Sequence, residues 1–139
     1  MREILFRGKR SDNGEWVDGN LFIPDKEDTP TQICIGTNII RITFDVVPET
    51  VGQFTGLTDK NGKKIFEGDI CRFREWSKGD MCWIGKVHYE YQQFVISGDK
   101  NKECESPFTL VMSRFIPENI EIIGNIHDNP ELLKGGEAE

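Results

Sequence analysis

The sequence lacks most of the features that usually reveal an activity. No apolar run in its 139 residues approaches the roughly 20 residues of a membrane-spanning helix, so we expect no contact with a bilayer. The motifs GxxxxGK[ST] and GxGxxG, whose backbone N–H groups cradle phosphates, are absent. No serine stands in a GxSxG context. The sequence thus gives no support for nucleotide binding or for a hydrolase with a nucleophile elbow, and we predict no catalytic residues.

Cysteine and histidine are too few and too scattered to suggest a metal site. The four cysteines form no Cys-x-x-Cys pair; they are Cys34, Cys71, Cys82 and Cys104. Neither histidine has another His or Cys at the sequence spacing that metal ligands usually have. Cys34 and Cys71 stand in apolar runs, where cysteine packs as a small hydrophobe. We predict free, structural thiols and no metal or cofactor; a zinc site or a disulfide is the alternative.

Charge and the first residues bear on partners and location. The formal net charge is −7, which repels phosphate backbones and disfavours nucleic-acid binding without excluding a local basic patch. Arg2 and Glu3 interrupt what would be the start of a secretory signal. We therefore expect the protein to remain in the cytoplasm of the cell that makes it.

Short apolar runs separated by turn residues predict an all-β fold with minor helical turns. In the first half, strands are predicted at residues 4–7, 16–23, 32–35 and 39–44, with a single helical turn at Pro48. Asn61-Gly62 predicts a type I′ hairpin turn, because both residues tolerate positive φ. Glu67 and Asp69 flank Gly68; we interpret Asp69 as a turn residue that binds backbone N–H groups rather than as half of an acid/base pair.

Longer strands are predicted in the second half, at residues 70–75, 83–89, 94–97, 108–112 and 120–126. Five strands at short intervals favour a barrel or a strongly bent sheet. Alternation places Lys86 and His88 on one face, with Val87 and Tyr89 on the core side. A helical turn is expected at residues 129–133, followed by a frayed tail.

Four segments carry a resemblance to a known family. They are Phe6-Arg-Gly-Lys, Gly14-Glu-Trp-Val-Asp-Gly-Asn-Leu21, residues 49–70 (ETVGQFTGLTDKNGKKIFEGDI) and residues 122–132 (IIGNIHDNPEL). In this order they resemble the YopX family across nearly the whole chain. The resemblance implies a small protein encoded by phages and prophages of Gram-positive bacteria, with an SH3-like barrel in its C-terminal half. It implies no assigned activity and no functional residues.

Together these observations predict one YopX-like domain over residues 1–139. Within it we expect an N-terminal β-hairpin lobe (1–64), a small SH3-like barrel lobe (65–128), and a short terminal turn and frayed tail (129–139). The first half is too short and loop-rich to be expected to fold alone.

One group of residues suggests a nucleic-acid patch. Arg72, Arg74 and Lys78 are interleaved with Trp76 near Trp83, and cations beside aromatic rings can bind single strands. Neighbouring carboxylates offset them, so a solvated face is the preferred interpretation.

The predicted function is a phage or prophage accessory protein acting as a non-catalytic binding or assembly module with a phage or host protein partner. A nucleic-acid-binding accessory protein is the alternative, and an enzyme ranks third. We also expect a homo-oligomer, formed through residues 16–42.

Overall fold

The structure is a computed structural model that describes residues 3–25, 28–36, 40–74, 82–98 and 108–137. The chain is built from antiparallel strands and short 3₁₀ segments, which confirms the predicted all-β class. It divides into two compact units, Met1–Gly56 and Leu57–Glu139. None of the helices in these described ranges is long and apolar enough to cross a membrane.

The first unit contains two antiparallel hairpins. Its strands are β1 (Phe6–Lys9), β2 (Trp16–Phe22), β3 (Gln32–Gly36), β4 (Arg41–Asp45) and the start of β5 (Gly52–Thr58). They lie side by side in the order β4-β3-β2-β1-β5. The four hairpin strands lie where the sequence predicts them, within a few residues at each end, and the predicted helical turn is the 3₁₀ segment Pro48–Thr50.

The edge of β4 that faces away from β3 is covered at one end by the residues that follow β1. Arg10 bridges Val46, and the N–H of Ser11 donates to the carbonyl of Asp45 at 2.9 Å. The Arg10 guanidinium also lies 4.6 Å from the centre of the Phe44 ring. Antiparallel edge pairing by another chain is therefore blocked at this end of β4.

The second unit is a five-stranded sheet. Its strands are β7 (Asp69–Arg74), β8 (Cys82–Glu90), β9 (Gln93–Gly98), β10 (Phe108–Val111) and β11 (Ile120–Asn125), and β6 (Lys64–Phe66) pairs with β5 before them. The order is β10-β9-β8-β7-β11, so the last strand returns beside the first. Two 3₁₀ segments, Met112–Arg114 and Pro117–Asn119, precede that return. The predicted closure into a barrel is not found among the described strands: β10 and β11 remain the two edges of the sheet.

Aromatic rings fill the core of this unit. Phe73 is 1% exposed and makes edge-on contacts with Trp83, Phe108 and Phe115, at centroid distances of 5.8, 5.5 and 5.0 Å. Each such pair contributes about 0.5–1.5 kcal/mol beyond the area it buries. Cys71 packs in the same cluster, as predicted for a buried thiol.

The β5–β6 hairpin turns differently from the prediction. Gly62 has φ +81°, but Asn61 is not among the described residues with positive φ, so the turn is not type I′. The N–H of Gly62 donates to the Asp59 carbonyl at 2.9 Å, which is the bond of a type I turn followed by a left-handed residue. The next turn agrees with the prediction: Phe66 N–H donates to Asp69 Oδ2 at 2.8 Å.

The C-terminal segment is longer than predicted. A 3₁₀ segment spans Pro130–Glu137, where a single turn at 129–133 and a frayed tail from 134 were expected. Asn129 Oδ1 accepts from Asn125 N–H at 3.2 Å, so the side chain that precedes the segment binds the end of β11. The segment contacts β8, which ties it to the sheet instead of leaving it free.

Candidate functional site

The predicted basic patch is only partly within the described residues. On β7, Arg72 and Arg74 are exposed and alternate with buried Cys71 and Phe73, so the two arginines share a face. Trp76 and Lys78 lie outside the described residues. Trp83, expected near the patch, is instead 8% exposed and packs against Phe73, because it stands directly opposite Phe73 in the β7–β8 register.

Carboxylates offset the charge of this patch. Glu121 stands opposite Arg72 on β11, and its Oε1 lies 3.5 Å from both Arg72 Nη1 and Lys60 Nζ. Together with Arg74 and Glu118 these side chains line a shallow cavity of about 180 Å³. Three cations therefore face two carboxylates, which leaves a weak positive potential rather than a strong phosphate-binding surface.

A second feature, which sequence reasoning missed, is the tip of the β8–β9 hairpin. Glu90 pairs with Gln93, so the loop consists of only Tyr91 and Gln92. Both have positive φ, 53° and 68°, and this is the conformation of a type I′ turn. Tyr91 is 87% exposed, and Tyr89 beside it is 52% exposed although its ring packs edge-on against Phe94 at 5.0 Å.

The backbone of the Tyr91-Gln92 turn is strained, because neither residue is a glycine or asparagine, which adopt positive φ easily. Left-handed φ costs an L residue other than glycine about 1–2 kcal/mol, and strained conformations persist where the surroundings fix them, often at functional sites. The prediction that Tyr89 faces the core is half right: it is on the core side, but the strand extends past the core there. The sequence prediction left a gap of four residues (90–93) between two strands, and the β8–β9 register shortens this gap to a two-residue turn.

The cysteines contribute no site in the described part of the chain. Cys71 is buried and Cys34 half-buried, and both are free thiols. Cys104 and the side chain of Cys82 lie outside what the structure describes. Within the described residues no group of three or more His, Cys, Asp or Glu side chains could hold a metal ion.

Comparison with known proteins places the chain in a family. No curated protein matches it. Among solved structures it resembles protein EF1440 from Enterococcus faecalis, with a TM-score of 0.55 and 22% sequence identity over 96% of this chain and 99% of that chain. That likeness concerns the fold. Residues 5–134 match the family described as YopX protein, as the four sequence segments indicated. The chain belongs to the YopX family.

Proposed function

We propose that the protein is a non-catalytic binding or assembly module that docks a protein partner through the tip of the β8–β9 hairpin. The observation that carries this proposal is Tyr91, an aromatic side chain 87% exposed on a strained two-residue turn. Tyrosine is enriched at protein interfaces, because it gives a large contact area and a hydroxyl at little entropic cost.

The short turn also favours binding. A two-residue loop between paired strands holds its backbone in a nearly fixed conformation, so little backbone conformational entropy remains to be lost on docking. Tyr89, two residues before Tyr91, is also exposed and adds a second aromatic side chain near this end of the hairpin.

The biological setting is also a proposal. We place the protein in phages and prophages of Gram-positive bacteria, acting in the cytoplasm of the host cell. The YopX resemblance of residues 49–70 and 122–132 supports the phage setting.

Affinity purification of the full chain from a prophage-carrying host tests the docking surface. Wild type is compared with Tyr91→Ala and with Ile116→Ala, a control that truncates another exposed apolar side chain of the same unit. Recovery of the partner should fall at least about tenfold with Tyr91→Ala, a loss of roughly 1.4 kcal/mol. Equal recovery by wild type and Tyr91→Ala would contradict the proposal.

Nucleic-acid binding is the second candidate, favoured by one observation: Arg72, Arg74 and Lys60 line the same shallow cavity. Because Glu121 lies 3.5 Å from Arg72 and from Lys60, we expect no binding of single-stranded DNA at about 150 mM salt, where the Debye length is about 8 Å. A gel shift at that salt, lost in Arg72→Glu/Arg74→Glu, would favour this candidate over the module.

We also propose a homo-oligomer that forms through the β3–β4 hairpin. Ile35 stands directly opposite Ile42, and they are 41% and 56% exposed, with Ile40 beside them 72% exposed. Since β4 is closed at its end by Ser11, the contact is expected between side chains rather than by strand addition. Light scattering should detect a dimer that Ile42→Lys dissociates; a monomer at high micromolar concentration would refute it.

A further inference from the structure

A row of polar side chains crosses three strands of the second unit on the face away from the aromatic core. Lys86 on β8 stands directly opposite Ser97 on β9, and Ser97 stands directly opposite Thr109 on β10. Directly opposed residues have their Cβ atoms about 4.5–5.5 Å apart and project to the same face. The register therefore brings one ammonium and two hydroxyls together.

His88 adds a fourth polar group to this row. Its Nε2 lies 2.9 Å from Ser97 Oγ, a hydrogen bond whose direction depends on the tautomer. Its Nδ1 lies 3.8 Å from Glu90 Oε1, which is beyond hydrogen-bond distance. The Lys86 side chain is exposed on this face.

These groups line a concave surface that also has an apolar wall. The cavity has a volume of about 340 Å³, and Phe108 and Leu133 line it beside Lys86, His88, Ser97 and Thr109. Gly98 belongs to the wall, and a Cβ there would lie 2.9 Å from the Phe108 ring, so glycine lets the ring approach β9. A cavity of this size admits a small ring with a charged substituent.

The pair of Ser97 and His88 invites a catalytic interpretation, which the sheet does not support. Acyl transfer needs free N–H groups near the nucleophile to stabilise the oxyanion. Ser97 is in a central strand that pairs with β8 on one side and β10 on the other. The backbone N–H groups near Ser97 are therefore used in hydrogen bonds between the strands. The arrangement is suited to binding a ligand rather than to cleaving one.

We propose that this cavity binds a phosphate monoester of a small aromatic or aliphatic compound. Three donors line it, namely Lys86, Ser97 and Thr109, and His88 is hydrogen-bonded to Ser97 Oγ. The three terminal oxygens of a phosphate use such a set more fully than the two oxygens of a carboxylate. The apolar group of the ligand lies against Leu133, because the Phe108 ring packs on Phe73 and Trp83. The site is separate from the hairpin tip and independent of the proposed docking function.

Titration of the ¹⁵N-labelled full chain with phenyl phosphate tests the proposal. Saturable amide shifts are expected around Lys86, Ser97 and Thr109, with binding about tenfold weaker in Lys86→Gln. Ser97→Ala should weaken binding without changing the charge. Arg41→Gln, which removes a cation from the exposed surface of β4, should bind as wild type.

Three results would overturn the proposal: no saturable shifts, shifts elsewhere on the chain, or equal affinity of wild type and Lys86→Gln. Benzyl alcohol, which lacks the anion, should not bind. Benzoate binding as tightly as phenyl phosphate would overturn the ligand class. Should Lys86→Gln fail to fold, Thr109→Val tests the same row, with weaker binding expected and unchanged affinity counting against the site.

Discussion

Asp59 accepts the backbone N–H of Ile122, 63 positions away in the sequence, at 2.9 Å. The same carboxylate accepts the N–H groups of Asn61 and Lys63 at 2.9 and 3.0 Å. Asp59 is 1% exposed, so one buried side chain joins the β5–β6 turn to strand β11.

Removing this carboxylate should destabilise the protein. Asp59→Ala leaves three N–H groups without their acceptor, and we expect a loss of about 3 kcal/mol in the free energy of unfolding. Asp59→Asn, which keeps one acceptor oxygen, should cost less. Urea unfolding measures both, with Asp12→Ala as the control because Asp12 is exposed. A loss in Asp59→Ala no larger than in the control would disprove the role.

The same group predicts a pH dependence of stability. Burial by itself would raise the pKa of Asp59, but the N–H groups of Ile122, Lys63 and Asn61 hold the pKa below its ordinary value of 3.8. The stabilisation is therefore complete above that unfolded value and is lost as pH falls through the lower folded pKa. In acid, wild type should lose more stability than Asp59→Asn. Parallel pH profiles of the two proteins would contradict this.

The type I′ turn predicts that stability can be gained at the proposed docking surface. Tyr91→Asn/Gln92→Gly supplies residues that tolerate positive φ, and we expect a gain of about 1 kcal/mol. The same double variant should lose the protein partner, because the Tyr91 ring is gone. Thermal melting and affinity purification measure the two effects. A lower melting temperature would show that the turn residues are not strained.

Substitutions at two glycines distinguish the cost of backbone strain from the cost of steric crowding. Gly62 has φ +81° and open space around the position of a Cβ, so Gly62→Ala should cost only the conformational term, about 1 kcal/mol. A Cβ at Gly85 would lie 2.7 Å from the Ser97 carbonyl oxygen and 3.0 Å from Ile96 Cγ1. Gly85→Ala should therefore cost more, about 2–3 kcal/mol. The reverse order in urea unfolding would disprove both assignments.

Strand positions could be predicted from the sequence, whereas turn geometry could not. Alternation correctly placed Val87 on the core side, and Arg72 and Arg74 are exposed, as the interpretation of a solvated face requires. Asn61-Gly62 showed which residues tolerate positive φ, but the strand register decides whether a turn requires it. The β8–β9 register requires positive φ at Tyr91 and Gln92 instead.

The candidate sites depend on contacts between strands and were therefore harder to predict. Lys86, Ser97 and Thr109 are distant in the sequence, and only the pairing of β8, β9 and β10 brings them into one row. Glu121 likewise reaches Arg72 through the β7–β11 register. A single sequence shows which face a residue occupies, but not which residue stands opposite it.

The bond from Ser11 to Asp45 at the end of β4 has a kinetic consequence. Domain swapping requires a hairpin to leave its own sheet and enter that of another copy. The β3–β4 hairpin is fastened on both sides at this end, to β2 and to the residues that follow β1. Domain swapping must first break both attachments and should therefore be slow. We expect dimers formed through Ile35 and Ile42 to assemble and dissociate rapidly, and we expect no domain-swapped dimers that persist after dilution.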